Sequence, residues 1–367
     1  MPVKPDVLIV GGGVVGTACA RALALSGRQV AVIERGGGHG EAWRASAGLL
    51  APQVEAKEND PLFDLGLAGR GFYEGLAGPL SASTGIAIGF YQGGSLQLAE
   101  SEARAEELRS KVAWQRQQGH ICDWLDEAEV RERWPWVGTS HGALWAPHDG
   151  SLHPERLVEA LRADARRLGV TFIEDDVQRL ERSGRRVTAA TGRERHPAGE
   201  VVLAAGAWTG RIANLPRPVS VEPVRGQMVA FPWPRQAERV NLFGRGGYLL
   251  ERDGEAISGA TVEHAGFDPA TTDEGIAVLS DRARLLVPAL AGVATTRSWA
   301  GLRPGTPDGL PIIGREPNAQ GLWYATGHGR SGLLLAGITG VLLERLMAGE
   351  QMTEEVDAVR PERFWGW

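Results

Sequence analysis

The stretch from Val7 to Glu34 constrains the fold more than any other part of the chain. An apolar run, Val7–Val10, is followed at once by the pattern Gly11-x-Gly13-x-x-Gly16, a helical pattern and a second apolar run that ends in Glu34. A short apolar run bounded by glycine is typical of a buried parallel strand. The stretch therefore predicts a strand–turn–helix–strand unit of an α/β fold.

Each glycine of this pattern has a distinct predicted role. Gly11 permits a tight turn, Gly13 permits close approach of a pyrophosphate to the backbone, and Gly16 permits close packing of the helix on the strand. The N-terminus of the helix offers unpaired N–H groups to phosphates. Glu34 can bind ribose hydroxyls, and an acid there disfavours the 2′-phosphate of NADP. The stretch thus predicts an adenine dinucleotide.

Composition limits the class of protein. With 367 residues the chain exceeds one ordinary core, so two intertwined domains are expected. A net charge of −6 gives no reason to expect nucleic acid or an anionic membrane as partner, and no apolar run reaches membrane-spanning length. The first strand begins too early to leave room for a signal peptide, so a cytoplasmic protein is expected. Two cysteines, Cys19 and Cys122, are too few for a disulfide framework.

Two further stretches indicate nucleotide contacts. Trp43–Pro52 is dense in small residues, which fits either backbone lying against a flat ligand or a plain loop of small side chains. An apolar strand, Val201–Ala205, leads directly into Gly206, as at a nucleotide contact on the carboxyl edge of a sheet. Alone this stretch favours an ordinary strand and turn. After the N-terminal pattern it points to FAD rather than NAD.

The middle of the chain predicts a second kind of sheet. Met228–Phe231, Gly247–Glu251 and Ala256–Ala260 read as strands of a mostly antiparallel sheet. Ser101–Gln118 is rich in charge and predicts a solvated helix. His148 and His153 lack a third ligand at a plausible spacing, so no metal site is expected.

The C-terminal third carries the candidate chemistry. Arg303 lies among apolar residues, where an unpaired guanidinium is costly, so it requires an anion. Its planar fork suits a ligand carboxylate, whereas Asp308 offers an alternative partner within the chain. Gly329–Gly332 precedes a helix whose N-terminus suits negative charge on a reduced flavin, and a plain core helix would not require Arg330 there.

Together these stretches resemble the D-amino-acid oxidase (DAO) superfamily of FAD-dependent oxidoreductases, and within it the glycine oxidases of the thiamine-biosynthesis type. The resemblance covers nearly the whole chain and is most specific in AGLRPGTPDG and GHGRSG. It implies an α/β (overall α+β) fold with a Rossmann-like FAD-binding domain and a substrate domain with a mostly antiparallel sheet. We predict the FAD-binding domain in 1–60, 145–215 and 300–350, the substrate domain in 61–144 and 216–299, and a C-terminal tail in 351–367.

The resemblance also implies roles for individual residues. Arg303 matches the arginine that binds the substrate carboxylate, Tyr248 a tyrosine that orients it, and Arg330 a second arginine of the site. From the glycine-turn reasoning and the resemblance together, the predicted FAD contacts are Gly11, Gly13, Val14, Val15, Gly16, Glu34, Arg35, Ala42, Trp43, Ala47, Gly48, Leu49, Val177, Ala205, Gly206, His328, Gly329, Arg330, Ser331, Gly332, Leu333 and Leu334.

The implied reaction is the oxidation of a small amino acid: glycine, sarcosine or a small D-amino acid. Hydride passes from the substrate α-carbon to flavin N5, the imine product hydrolyses, and O2 reoxidises the flavin to give H2O2. Relatives with covalent flavin use a cysteine in the segment occupied here by Gly301–Asp308, which has none, so non-covalent FAD is expected. Where glycine oxidases have histidine and methionine, this chain has Gly246 and Val262, which enlarges the pocket.

Three questions stay open at the level of sequence. A dehydrogenase that passes electrons to a quinone is an alternative to an oxidase. A flavin-binding protein without catalysis, with Arg303 in a structural ion pair, is a more distant alternative. The oligomeric state is also open, and a homo-oligomer is compatible with the sequence.

Overall fold

A computed structural model describes residues 4–38, 40–183, 186–192, 194–235, 237–350 and 354–364. The strands are β1 (Val7–Val10), β2 (Val30–Glu34), β3 (Leu49–Leu50), β4 (Ser95–Leu98), β5 (Asp123–Leu125), β6 (Ala143–Ala146), β7 (Gly150–Ser151), β8 (Thr171–Glu174), β9 (Val177–Ser183), β10 (Arg186–Thr191), β11 (Arg195–Pro197), β12 (Glu200–Leu203), β13 (Glu222–Pro232), β14 (Asn241–Gly244), β15 (Gly247–Arg252), β16 (Glu255–Gly259), β17 (Arg297–Gly305), β18 (Ile312–Arg315) and β19 (Leu322–Thr326). The helices are α1 (Val14–Leu25), α2 (Pro52–Glu55), α3 (Pro61–Thr84), α4 (Glu102–Gln117), α5 (Glu127–Arg133), α6 (Pro154–Arg167), α7 (Asp273–Leu286), α8 (Gly332–Met347) and α9 (Glu354–Asp357). Short 3-10 helices cover Gly206–Arg211, Pro288–Leu290, Gly329–Ser331 and Pro361–Phe364.

The first large sheet has the strand order β18-β19-β12-β1-β2-β8. Its inner pairs are parallel, and only β18 joins antiparallel. All four residues of β1 are buried, because helices α1, α6 and α8 cover one face of the sheet and the three-stranded sheet β11-β10-β9 covers the other. β1, α1 and β2 form the unit that the N-terminal glycine pattern predicts, and the carboxyl ends of the parallel strands meet at one edge.

The second large sheet has the order β17-β13-β16-β15-β14-β4-β6-β5. Every pair in it is antiparallel except β14 with β4. Helix α7 packs on one face, where Leu279, Ala283 and Leu286 join a buried apolar cluster with side chains from the strands. The predicted combination of an α/β unit with a mostly antiparallel sheet is confirmed.

The strands relate simply to the predicted domain ranges. All strands of the first sheet fall within 1–60, 145–215 and 300–350, whereas β6 and β17 of the second sheet extend across the predicted limits at 144 and 299. Of the predicted tail, residues 351–353 and 365–367 lie outside the described residues. The division into two domains stays a prediction.

Helix α4 differs from its prediction. The expectation that it is solvated is wrong for one of its faces, where Ala105, Leu108, Lys111, Val112 and Gln115 are buried. These positions recur at intervals of three or four residues, the spacing of an amphipathic helix, and the many charged residues between them hide that pattern. None of the helices in the described ranges combines the length and the apolar character needed to cross a bilayer.

Candidate active site

One cavity of about 2040 Å³ is lined by both large sheets. The carboxyl ends of β1, β2, β12 and β19 form one side, and residues of β13, β14, β15 and β17 form the other. Pockets for small ligands usually measure about 300–1,000 Å³. This cavity therefore has room for an extended dinucleotide together with a small substrate.

The structure brings the predicted site residues together around this cavity. Of the predicted cofactor contacts, Gly16 alone does not line the cavity. The predicted residues that do are Gly11, Gly13, Val14, Val15, Glu34, Arg35, Ala42, Trp43, Ala47, Gly48, Leu49, Val177, Ala205, Gly206, Tyr248, Arg303, His328, Gly329, Arg330, Ser331, Gly332, Leu333 and Leu334.

The glycine turn leaves no space for side chains where the chain must pass closely. Gly11 has φ +104°, and a Cβ atom there would lie 2.4 Å from the carbonyl oxygen of Ala204. At Gly16 a Cβ atom would lie 1.9 Å from the carbonyl oxygen of Gly11, so α1 can approach β1 only because this residue is glycine. Gly16 thus lies behind the cavity wall, in the packing position that the pattern assigns to it.

Glu34 lies beside this turn at the end of β2. Its Oε2 accepts a hydrogen bond of 2.5 Å from the Gly12 N–H. The Gly12 carbonyl in turn accepts a hydrogen bond from the guanidinium of Arg162, on α6. The carboxylate is therefore held at the cavity wall, where its remaining lone pairs can accept ribose hydroxyls.

Two helices begin at the cavity without a cap. Neither α1 nor α8 has a hydrogen bond from a side chain at its N-cap, and neither has an acidic residue in its first turn. Their first N–H groups and positive dipole ends therefore stay available for a ligand with negative charge. A dinucleotide fits this arrangement, with its pyrophosphate at the N-terminus of α1 and its reducible ring at the N-terminus of α8.

Arg303 projects from β17 into the other half of the cavity. Its Nη1 donates to the carbonyl oxygen of Thr261 at 3.0 Å, and none of the ion pairs between described residues involves its guanidinium. The alternative partner Asp308 binds the guanidinium of Arg363 at 2.7 Å. The sequence left these two partners open, and the structure leaves the Arg303 fork for an anion in the cavity.

Tyr248, on β15, lines the cavity and packs against two buried clusters, one with Val54 and one with Met228. Desolvation raises the pKa of its phenol to about 12, with Arg303 opposing the shift and Glu55 adding to it. The hydroxyl therefore stays neutral near pH 7 and can donate a hydrogen bond to a carboxylate. Arg330, by contrast, is exposed at the rim, where its Nη2 lies 3.4 Å from the carbonyl oxygen of Glu55.

His328 supports the start of the 3-10 helix before α8. Its ring Nε2 lies 2.9 Å from Oγ1 of Thr339, and burial lowers its pKa to about 3. The imidazole is therefore neutral near pH 7. No group of histidine, cysteine or acidic residues within the described ranges could hold a metal ion.

Sequence reasoning missed the part of the cavity wall that comes from α4 and the neighbouring strand ends. Lys111, Gln97 and Phe243 line it, although none of them belongs to a recognisable motif. Only the amphipathic spacing of α4 could have indicated that Lys111 faces inward.

Comparison with known proteins agrees with this geometry. The model of the family "DAO: FAD dependent oxidoreductase" matches residues 6–346.

The chain belongs to the DAO family.

Glycine oxidase from Geobacillus kaustophilus is 35% identical, with 93% of this chain and 92% of that protein covered. Glycine oxidase from Pseudomonas aeruginosa is 33% identical, with 94% and 95% covered. The bifunctional protein ThiO/ThiG of a Synechocystis species is 36% identical over 99% of this chain, but the chain spans only 55% of its length.

Solved structures of this family superpose closely. The crystal structure of the Geobacillus kaustophilus glycine oxidase has a TM-score of 0.94 at 33% identity, with 99% of this chain and all of that chain covered. Iminodiacetate oxidase from a Chelativorans species has a TM-score of 0.89 at 26% identity, with 97% and 98% covered. The predicted superfamily, the enzyme class of FAD-dependent oxidoreductase and the cofactor FAD are confirmed.

Proposed function

We propose that this protein oxidises glycine or a related small amino acid, such as sarcosine or a small D-amino acid, with O2 as electron acceptor. The names of its full-length relatives support an amino acid as substrate. The single observation that carries the proposal is the guanidinium of Arg303, which lines the cavity and has no acidic partner among the described residues. A planar fork in that position fits an α-carboxylate.

The residues of the substrate half position the amino acid. Arg303 binds the carboxylate through two N–H groups, and Tyr248 donates a third hydrogen bond from its neutral hydroxyl. Arg330, at the rim, adds positive charge near the path of the substrate carboxylate. Such a reaction depends on orientation of the α-carbon more than on an acid–base residue.

The nucleotide half holds the cofactor. Glu34 would bind the ribose, the N-terminus of α1 the pyrophosphate, and the N-terminus of α8 the ring. When bound there, FAD would supply the two-electron oxidation of the substrate, with O2 as the final electron acceptor and H2O2 as the product. Cys19 and Cys122 do not line the cavity, which supports non-covalent binding.

The pocket should accept substituted amino acids as well as glycine. Gly246 carries no side chain, and Val262 is 73% exposed at the cavity. Histidine and methionine at these positions would narrow the same space. N-substituted glycines therefore belong to the proposed substrate class.

An anaerobic reduction screen tests the proposal. Glycine, sarcosine and small D-amino acids are mixed separately with the holoenzyme, and the absorbance of oxidised flavin is followed before and after air is admitted. We expect at least one substrate to bleach the flavin and air to restore it with formation of H2O2. A spectrum unchanged by every amino acid would refute the amino-acid assignment. Turnover with an artificial dye but without H2O2 would identify a dehydrogenase instead.

A further inference from the structure

The cavity extends beyond the region of Arg303 into a lobe against α4. We call it the α4 lobe and define it by Val54, Glu55, Gln97, Leu108 and Lys111, all of which line the cavity. Tyr248 lines the same cavity as Arg303 and packs against the buried cluster that contains Val54 and Leu108, so its ring borders both regions. A substrate whose carboxylate is held by Arg303 can therefore extend its other end past Tyr248 into the lobe.

Lys111 is the deeply buried cation of this lobe. The residue is only 9% exposed. Its Nζ donates to the carbonyl oxygen of Val54 at 2.5 Å and to Oε1 of Gln97 at 3.1 Å. Both acceptors are neutral, and Lys111 forms no ion pair with any residue that the structure describes. An ammonium has three donors, so one N–H remains without a protein acceptor at the cavity wall.

The other charged residues in and near the α4 lobe are paired or exposed, unlike Lys111. Arg104 is paired with Glu107 at 2.6 Å, and both Glu100 and Glu107 are exposed. Glu55 is partly exposed, and Arg330 is exposed. These groups meet solvent, whereas a buried cation without an anion is costly in free energy.

The wall around Lys111 is held in place by a buried polar network. Asp149 accepts hydrogen bonds from the backbone N–H groups of Gln53 and Val54 and from Arg70 at 2.8 Å. Gln115 donates to the Gln53 carbonyl at 2.8 Å. The acceptor carbonyl of Val54 is thereby fixed, and Lys111 cannot turn away to solvent without losing it.

Burial lowers the pKa of Lys111 to about 7, since desolvation outweighs the Asp149 and Glu55 carboxylates that oppose it. A ligand carboxylate within hydrogen-bond distance would favour the charged form. An anionic group that enters through the cavity would therefore stabilise the Lys111 ammonium.

On the basis of the proposed function, we propose that Lys111 binds a second carboxylate of the substrate, so that the enzyme prefers small amino acids that carry a second acidic group. Arg303 and Lys111 then hold the two acidic ends of one molecule, with the oxidised carbon between them. Lys111 is a specificity-determining residue in this arrangement and takes no part in hydride transfer.

Wild-type holoenzyme gives the first test. We compare kcat/KM for N-(carboxymethyl)glycine with that for N-(carbamoylmethyl)glycine, in which a neutral amide of nearly equal size replaces the second carboxylate. We expect the diacid to be favoured by about tenfold or more, the range of a buried charge-assisted pair. A ratio at or below one overturns the inference without any variant.

Matched variants give the second test. Lys111→Met should lower that ratio by about tenfold, chiefly through a higher KM for the diacid, while Lys111→Arg should retain most of it. Lys57→Met removes the same charge from an exposed position on the rim of the cavity and should change the ratio by less than about twofold. Flavin content and circular dichroism show whether each variant is folded.

The outcomes separate the inference from the function on which it rests. One outcome is that glycine or sarcosine reduces the flavin while Lys111→Met and wild type show the same ratio of kcat/KM for the diacid to kcat/KM for the amide. In that case Lys111 is not an anion site and the proposed function stands. If no amino acid reduces the flavin of the wild type, the proposed function and this inference fail together. If Lys111→Met does not fold, the wild-type ratio still decides.

Discussion

The two halves of the cavity are built in different ways. The nucleotide half is formed largely by short runs of consecutive residues, among them 13–15, 45–49, 204–208 and 328–334. The substrate half is assembled from positions far apart in sequence, since Lys111, Tyr248 and Arg303 come from α4, β15 and β17. A single substitution in a local turn disturbs the whole turn, whereas a pocket built from dispersed positions can accept a substitution at one side chain without changing the others.

This difference has a physical basis. Phosphates are recognised by backbone N–H groups, so the chain itself must adopt one conformation there. An amino-acid substrate is recognised by side chains on a rigid sheet, so the backbone stays the same while the specificity changes. Substitutions in the first half should therefore affect cofactor retention and folding, and those in the second half should affect turnover alone.

The largest expected effect is that of Arg303→Ala. Loss of the fork removes a charge-assisted bidentate contact, so kcat/KM should fall by about a thousandfold or more while FAD remains bound. Arg303→Lys should recover only part of the activity, because an ammonium cannot reproduce the fork. Steady-state kinetics and the ratio of flavin to protein check both variants. Loss of FAD or of folding with little loss of turnover per flavin would instead support a structural role.

Gly11→Ala should have the largest effect in the nucleotide half. With φ +104° and a new Cβ atom 2.4 Å from the Ala204 carbonyl, β1 and β12 would have to separate. We expect a loss of roughly 3–5 kcal/mol in the free energy of unfolding, or FAD-free protein. Gly27→Ala is the matched control, since Gly27 also has positive φ, +87°, but its Cβ atom would meet nothing within 4 Å. Gly27→Ala should lower the free energy of unfolding by about 1 kcal/mol. If urea unfolding gives equal losses for Gly11→Ala and Gly27→Ala, the steric argument is wrong.

The same contrast explains what could be predicted from the sequence. Spacing and residue type were sufficient for the strand–glycine–helix–acid unit, because each of its roles depends on near neighbours. Arg303 could be identified as needing an anion, but the choice between Asp308 and a ligand needed the pairing of Asp308 with Arg363, which is 55 positions away. The amphipathic spacing of α4 could have indicated that Lys111 faces inward, but not that it reaches the cavity, because that depends on where β4 and α2 lie.

Glu34→Ala should have a moderate effect that stays within the nucleotide half. The carboxylate binds the Gly12 N–H, and we expect it to bind ribose hydroxyls as well, so its removal should raise the FAD dissociation constant about ten- to hundredfold. Substrate preference should not change. Glu174→Ala is the matched control, because Glu174 lies beside Glu34 at the end of the paired strand β8 but does not line the cavity. Equal flavin occupancy of both variants after dialysis would argue against the ribose role.

The smallest expected effect is that of Val262→Met, which introduces the methionine that the resemblance to glycine oxidases indicates for this position. Gly246 is a poorer choice for such a test, because its φ of +74° would strain any side chain. Val262 is 73% exposed, so a longer side chain there would bury only part of its added surface and narrow the cavity mouth. We expect kcat/KM for N-substituted glycines to fall by less than about tenfold, with little change for glycine itself. The measurement is the ratio of kcat/KM for an N-substituted glycine to kcat/KM for glycine, and Val262→Ala should raise this ratio where Val262→Met lowers it.

If Val262→Met changes the ratio by more than about a hundredfold, Val262 becomes buried when substrate binds. The substrate half would then close around its ligand, and its specificity would depend on backbone movement as well as on single side chains.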